Sequence, residues 1–206
     1  NYQKKEMKLS INELSFSYED KIIFDELSLN LSSEKISVLI GQNGVGKSTL
    51  LRIIAGLEEQ DKGKITLSNN SNDQIQIRGN ISYLGHKLAL KENLSVHENI
   101  NFWEKFYNCV IPDNHHKELG IDRLLNQKIR DLSQGQKKKV ALLRIVMSDK
   151  KIWLLDEPLS NLDELAANYF KNTFMSKVSD HKLILITSHT KLNMKNESSI
   201  YIGEDA

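Results

Sequence analysis

The chain has 206 residues, a formal charge of +1 and one cysteine, Cys109. The length suits one large domain with ample core. The near-neutral balance gives no global case for nucleic-acid binding, and the lone thiol excludes an internal disulfide or a cysteine-rich metal site, with a reducing compartment the simplest fit. No apolar run approaches the ~20 residues of a membrane span and the start carries no signal-peptide pattern, so any membrane role is expected to come through a partner. Asn1 to Glu6, polar and ahead of Met7, read as a leader or an expression remnant.

Leu9, Ile11, Leu14, Phe16 and Tyr18 are apolar at nearly alternate positions. The slip between Ile11 and Leu14 predicts a strand with a bulge or bend. Ile22 to Phe24 and then Leu27, Leu29 and Leu31 predict two more short strands. The second alternates cleanly, which suits one wet face and antiparallel pairing. Ile36 to Ile40 is a β-prone run leading into Gly41-Gln42-Asn43-Gly44-Val45-Gly46-Lys47-Ser48-Thr49. Gly41, Gly46, Lys47 and Ser48 fit the G-x-x-x-x-G-K-[ST] pattern. Glycines let successive N–H groups turn inward on phosphate oxygens, and the helix that follows aims its positive end at the same anion. In that pattern Lys47 reaches the β- and γ-phosphates and the Ser48 hydroxyl binds Mg²⁺. Leu50, Leu51, Ile53 and Ile54 give the helix one apolar side, and Gly56 is placed to end it. Tyr18, beside such a loop, offers a ring face for stacking a flat base. Without the loop it would read as a surface tyrosine.

Ile65 to Leu67 and Ile75 to Ile77 flank Ser68 to Asp73, all Ser, Asn and Asp, which predicts a hairpin with a mobile polar tip. Ile81 to Leu84 is a further strand, ending at Gly85-His86. Ser95 and Glu98 form a capping-box match that opens a helix to about Tyr107. Its dense apolar positions, Ile100, Phe102, Trp103, Phe106 and Tyr107, read as packing of a helical lobe, with docking of a partner helix the alternative for part of that face. Pro112 to Glu118 is expected to be a loop with His115 and His116 exposed, and no further metal ligands accompany them. Asp122 to Leu125 predicts a short helical turn.

Leu132-Ser133-Gln134-Gly135-Gln136 holds a second capping-box match, Ser133 with Gln136. It reads as a plain helix start, or as an anion site built from the Ser133 hydroxyl and the free N–H groups of the first turn. A second phosphate site has an immediate use where two chains meet face to face. Lys137 to Lys139 are expected to be a solvated helix face, with lipid or partner contact the alternative. Ile152 to Leu155 is an apolar strand ending in Asp156 and Glu157, and α/β sheets place ligands at such ends. Asp156 suits Mg²⁺, through water; Glu157 suits orienting or deprotonating a water that attacks the γ-phosphate. Ser160 to Asp163 lead into a helix from about Glu164 to Val178. Leu183 to Thr187 is another buried-type strand, ending at Ser188-His189, where His189 is placed to donate to a γ-phosphate oxygen. Ile200 to Ile202 are expected to close the sheet.

The glycine loop, the Leu-Ser-x-Gly-Gln segment, the apolar strand with Asp-Glu and the strand-end histidine occur in this order across nearly the whole chain. Together they resemble the nucleotide-binding subunit of ABC transporters. The resemblance implies an α/β fold with a P-loop NTPase core, an antiparallel β subdomain and a small helical subdomain inserted at about 88–137 in a single 1–206 domain. It implies ATP and Mg²⁺ as ligands and a head-to-tail homodimer formed on ATP binding. Each ATP would touch the Gly41–Thr49 loop of one subunit, including Asn43, Gly44 and Thr49, and Ser133, Gly135 and Gln136 of the other. Tyr18 matches the adenine-stacking aromatic, Ser160 to Asp163 the loop that crosses the dimer seam, and His189 the switch histidine. His86 stands where most transporter ATPases carry a glutamine that contacts Mg²⁺ and the attacking water. A neutral imidazole still accepts from metal-bound water, with a different reach. Gln134 replaces the usual small residue and is expected to point outward.

Tyr83-Leu84-Gly85-His86, the short length and Trp153 also look like the ATP-binding proteins of cytochrome c maturation, often called haem exporters. That implies transmembrane permease-type subunits, a haem-handling membrane protein, the cytoplasmic face of the inner membrane, and no nucleic acid. An exporter of another small substrate, lipid or lipoprotein, or a non-transport ATPase of the superfamily, is the alternative.

Overall fold

The slip read between Ile11 and Leu14 is a bulge. In the computed structural model, which describes residues 6–71 and 73–203, strand β1 (Met7–Tyr18) shifts register there against β2 (Lys21–Ser32), with Glu13 at φ 49°. The first five residues of the leading segment and Asn72 of the hairpin tip lie outside the described residues. β2 is one strand, not the two short ones expected. Glu26, at φ 53°, forms a bulge whose N–H is taken by Ser15 Oγ at 3.1 Å, so pairing with β1 resumes at Phe24.

The chain divides into two compact units. The first takes the chain up to Tyr83, Lys150–Asp156 and the chain from Phe174 on. It holds a three-stranded antiparallel sheet, β2-β1-β4, with β4 at Lys62–Asn69. It also holds nearly all of a five-stranded sheet of order β5-β6-β7-β3-β8. Here β3 is Ile36–Ile40, β5 Ile81–Leu84, β6 Ile152–Leu155, β7 Leu183–Ser188 and β8 Glu197–Tyr201. β3 pairs in parallel with β7 and β8, and β6 in parallel with β7. Every residue of β3 and β6 is buried, as strands covered on both faces require. Helix α1 (Lys47–Ile54) follows β3 and buries Leu50, Leu51, Ile53 and Ile54 in the same core as Leu9, Leu39 and Leu154. It ends at Ala55, with Gly56 at φ 71° beyond.

Ile75 to Ile77 do not form the expected second hairpin arm. An isolated bridge, Ser68 to Gln74, and backbone bonds from Ile75 N–H to Leu67 O at 2.8 Å and from Asn69 N–H to Asp73 O at 3.2 Å join the two sides. The Asn69 side chain accepts the N–H groups of Ser71 and Asp73 at 2.9 and 3.0 Å, closing the tip as a side-chain turn in place of a ladder.

The second unit is Leu84–Asp149 and Glu157–Thr173. It carries α2 (Val96–Tyr107), α3 (Asp113–Glu118), short 3₁₀ turns at Asp122–Leu124 and Ile129–Asp131, α4 (Gln134–Met147) and most of α5 (Glu164–Ser179). Both capping boxes form: Ser95 with Glu98 opens α2, and Ser133 with Gln136 opens α4. Pro112 to Glu118, expected as a loop, is helical. Extended Pro112 precedes a turn with Asp113 at its positive end and His115, His116 and Lys117 at its negative end. The two histidines are half-buried, not exposed, and His115 Nδ1 bonds the Tyr169 hydroxyl. Arg144 is buried over the Trp103 ring, 5.1 Å from its centroid, and burial pulls its pKa down.

Candidate nucleotide site

In the first unit three adjacent parallel strands end together. β3 and β7 pair Ile40 with Ser188, so Gly41 and His189 leave neighbouring strands side by side. β6 and β7 pair Leu155 with Ile186, which puts Asp156 and Thr187 next along the same edge. That is the carboxyl edge of the sheet, where an α/β fold gathers its ligand-binding groups.

The Gly41–Thr49 loop needs its glycines. Gly44 and Gly46 stand at φ 83° and 101°. A Cβ at Gly46 would lie 2.7 Å from both Ile23 Cγ2 and Phe24 Cζ, and one at Gly41 would lie 2.6 Å from Ile202 O. A Cβ at Gly44 would meet nothing within 4 Å, so this side of the loop is open to a ligand. Asn43 and Gly44 are exposed at the turn, while Ser48 and Thr49 are half-buried in the first turn of α1. Lys47 is only 5% exposed. Its ammonium donates to Gly41 O at 2.6 Å and Gln42 O at 2.9 Å, which keeps the positive charge inside the loop. A cleft of about 1080 Å³ opens beside Gly41, Gln42, Gly44 and Val45, with His189 and Tyr201 on its wall.

Asp156 and Thr187 are both 1% exposed, and Thr187 Oγ1 donates to Asp156 Oδ1 at 2.6 Å. The Asp156 carboxylate and the Ser48 hydroxyl, at the start of α1, offer oxygen donors, the chemistry that Mg²⁺ takes. Tyr83, half-buried, has its hydroxyl pKa pushed up by burial first and by the Asp156 charge second, against the pull of Arg52. Tyr18 is the last residue of β1 and is 41% exposed. Its ring meets Phe16 edge-on at 4.8 Å, and its hydroxyl donates to Glu58 at 3.3 Å.

The second unit holds the other singled-out residues. Ser133 Oγ accepts Gln136 N–H at 3.2 Å, and Gln136 Oε1 accepts Ser133 N–H at 2.8 Å. Gln134 is exposed, as expected. A Cβ on Gly135 would collide with the Asn161 carbonyl, so this glycine is fixed by the close approach of the Glu157–Asp163 segment. His86 is exposed just after β5. Glu157 is half-buried at φ 45°, left-handed backbone that costs a residue with a side chain about 1–3 kcal/mol.

The lysines of α4 are not the solvated face expected of them. Lys139 Nζ pairs with Asp163 Oδ2 at 2.6 Å and its side chain is 14% exposed. Lys138 Nζ donates to Glu157 O at 2.9 Å and Ser160 Oγ at 3.0 Å. The Glu157–Asp163 segment folds against this helix and takes the ammonium groups as its donors. Burial of the stems along the helix accompanies that choice.

A family model described as ABC transporter matches residues 24–160. The chain belongs to the ABC transporter family. It is an ATP-binding subunit of that family, an ATPase coupled to transport. Among relatives of ABC type, the chain is 33% identical to the cytochrome c biogenesis ATP-binding export protein CcmA of Bartonella henselae, over 94% of each chain. It is 34% identical to the protein of that name from Rickettsia bellii, covering 91% of this chain and 96% of the relative. The protein of that name from Reclinomonas americana is 28% identical, covering 95% of this chain and 90% of the relative. Of the solved structures, an ABC transporter ATP-binding protein from Pyrococcus furiosus superposes with a TM-score of 0.74 at 24% identity, covering 93% of this chain and 96% of that one. The ABC ATPase fold is thereby shared.

In the sequence Thr187 has no role of its own; its one signal is a polar side chain at the end of an otherwise apolar run. Lys138 reads only as part of a solvated run, and the acceptors it finds on the Glu157–Asp163 segment have no local signal.

Proposed function

We propose that this chain is the ATP-hydrolysing subunit of a membrane export complex that serves cytochrome c biogenesis. The name shared by relatives spanning nine-tenths of the chain supports the biological setting. The observation that carries the chemistry is the common edge of β3, β7 and β6, which presents the Lys47 loop, His189 and Asp156 together. On this reading the loop N–H groups and the Lys47 ammonium bind the β- and γ-phosphates. Tyr18 stacks the adenine. Mg²⁺, held by Ser48 and Asp156, would neutralise phosphate charge when bound. Glu157 orients the attacking water and takes its proton, and His189 donates to a γ-phosphate oxygen. His86 would face water at that site through its imidazole and link the site to the permease.

Two chains pair head to tail on ATP, each supplying Ser133, Gly135 and Gln136 to the γ-phosphate held by the other's loop. The helical insertion at about 88–137 is the part that meets transmembrane permease-type subunits. No helix among the described residues is long and apolar enough to cross a membrane, so on this reading the subunit sits at the cytoplasmic face of the inner membrane and is held there by those partners. A haem-handling membrane protein belongs to the same complex. Mild extraction of membranes, with identification of co-purifying chains and of bound haem by its absorbance, tests this setting. Permease-type chains with haem are expected. Recovery of the chain alone, with no membrane protein attached, would contradict it.

A further inference from the structure

Glu157 is held in a left-handed turn at φ 45° that its own side chain does nothing to favour. What holds it is visible at its carbonyl. That oxygen accepts Ser160 N–H at 3.2 Å, Ser160 Oγ at 2.9 Å and Lys138 Nζ at 2.9 Å. The same ammonium also donates to Ser160 Oγ at 3.0 Å, so lysine, serine and carbonyl close a triangle. The next residue, Lys139, grips the far end of the segment through Asp163, whose second oxygen caps α5 by accepting Ala166 N–H at 2.9 Å. Consecutive lysines of one helix thus clamp both ends of the Glu157–Asp163 segment. A charged donor makes the stronger kind of hydrogen bond to a carbonyl, and a half-buried one is poorly replaced by water.

We propose that Lys138 is a positioning residue for ATP hydrolysis: its ammonium fixes the Glu157 carbonyl, and with it the turn that sets the direction of the Glu157 carboxylate. This rests on the reading of Glu157 as the group that acts on the attacking water. The role assigned to the lysine runs through the Glu157 backbone and needs no contact with the attacking water or the phosphate. Its effect belongs to the chemical step, because geometric slack of an ångström at a reacting group is enough to lower a rate many-fold while leaving substrate contacts intact.

The test is steady-state hydrolysis by the full chain and its variants, with kcat and KM for Mg-ATP determined separately. Lys138→Met keeps the stem and removes the charge. It is expected to lower kcat about tenfold with KM changed less than about twofold. Lys138→Arg, which restores a cationic donor, is expected to recover most of the loss. Ser160→Ala, which removes a second donor to the same oxygen, should lower kcat in the same direction without unfolding the helix. Adding Lys138→Met to Glu157→Gln should cost nothing further. Unchanged kcat in Lys138→Met, a loss confined to KM, or a loss that arginine does not recover would overturn the proposal. If Lys138→Met fails to fold, unchanged kcat in Ser160→Ala overturns it. Parent-level turnover in Glu157→Gln would instead strike the assignment of Glu157 itself.

Discussion

Thr187→Val probes the buried pair at the end of β6 and β7. The substitution replaces a hydroxyl by a methyl of similar size, so it opens no cavity. It removes the 2.6 Å donor to Asp156 Oδ1 in a place where both residues are 1% exposed. A hydrogen bond to a charged group contributes about 1.5–3 kcal/mol. Water has little access to replace it here, so the upper part of that range applies, about 2–3 kcal/mol of a total stability of roughly 5–15 kcal/mol. For a chain of this length each kcal/mol moves the melting temperature by about 2–4 °C, which gives a fall of about 4–12 °C. Removing an outer partner of a metal-binding carboxylate weakens metal affinity about 10–100-fold, so half-maximal hydrolysis should need at least tenfold more Mg²⁺. Thermal unfolding followed by circular dichroism, and ATPase rates across a Mg²⁺ titration, measure the two effects. Thr187→Ser keeps the hydroxyl and should keep the parent Mg²⁺ dependence. A melting shift below about 1 °C with an unaltered Mg²⁺ titration would show that the Thr187 hydroxyl supports neither the fold nor the carboxylate.

Gly46→Ala forces a Cβ to 2.7 Å from Ile23 and Phe24 at φ 101°. Overpacking of about 1–3 kcal/mol and left-handed strain of about 1–2 kcal/mol predict a loss of roughly 2–5 kcal/mol in urea unfolding, along with loss of nucleotide binding. The Asp163 carboxyl is held below its usual range, chiefly by the Lys139 hydrogen bond and then by Ala166 N–H. A lowered folded pKa stabilises above the unfolded value, near 3.9, and the gain disappears as pH falls through the folded value. Stability of the parent should therefore fall more steeply than that of Asp163→Asn below about pH 4. The Tyr83 hydroxyl is shifted the other way, mainly by burial. Its contribution is complete below about pH 10 and is lost as pH rises through the higher folded value. Tyr83→Phe should accordingly lose less stability than the parent on alkaline titration.

The parts legible in the sequence were those written locally. Ile36 to Ser48 specify strand, glycine turn and helix start within a dozen or so residues, and Ser95 with Glu98 and Ser133 with Gln136 specify their own caps. What was not legible depends on distant partners. Nothing around Asp25-Glu26 says that β1 will carry β2 through its bulge. The three lysines of α4 look solvated until the Glu157–Asp163 segment, far along the chain, supplies acceptors for two of them. Glutamate has no preference for left-handed backbone, and of the donors that hold the turn at Glu157 the ammonium of Lys138 comes from a distant helix that the local sequence does not name. That Asp156 and Glu157 follow directly on a buried strand was legible because the apolar run Ile152 to Leu155 stops there.

On the proposed reading, ATP bound at the Lys47 loop is hydrolysed with Glu157 and closed over by a second copy of the chain. Glu157→Gln, mixed with Mg-ATP and run on a sizing column with nucleotide quantified in each fraction, tests it most directly. A dimer carrying one intact ATP per chain is expected, with turnover nearly abolished, and neither dimer nor bound ATP once Lys47→Ala is added. Monomers without nucleotide, or hydrolysis at the parent rate, would contradict it.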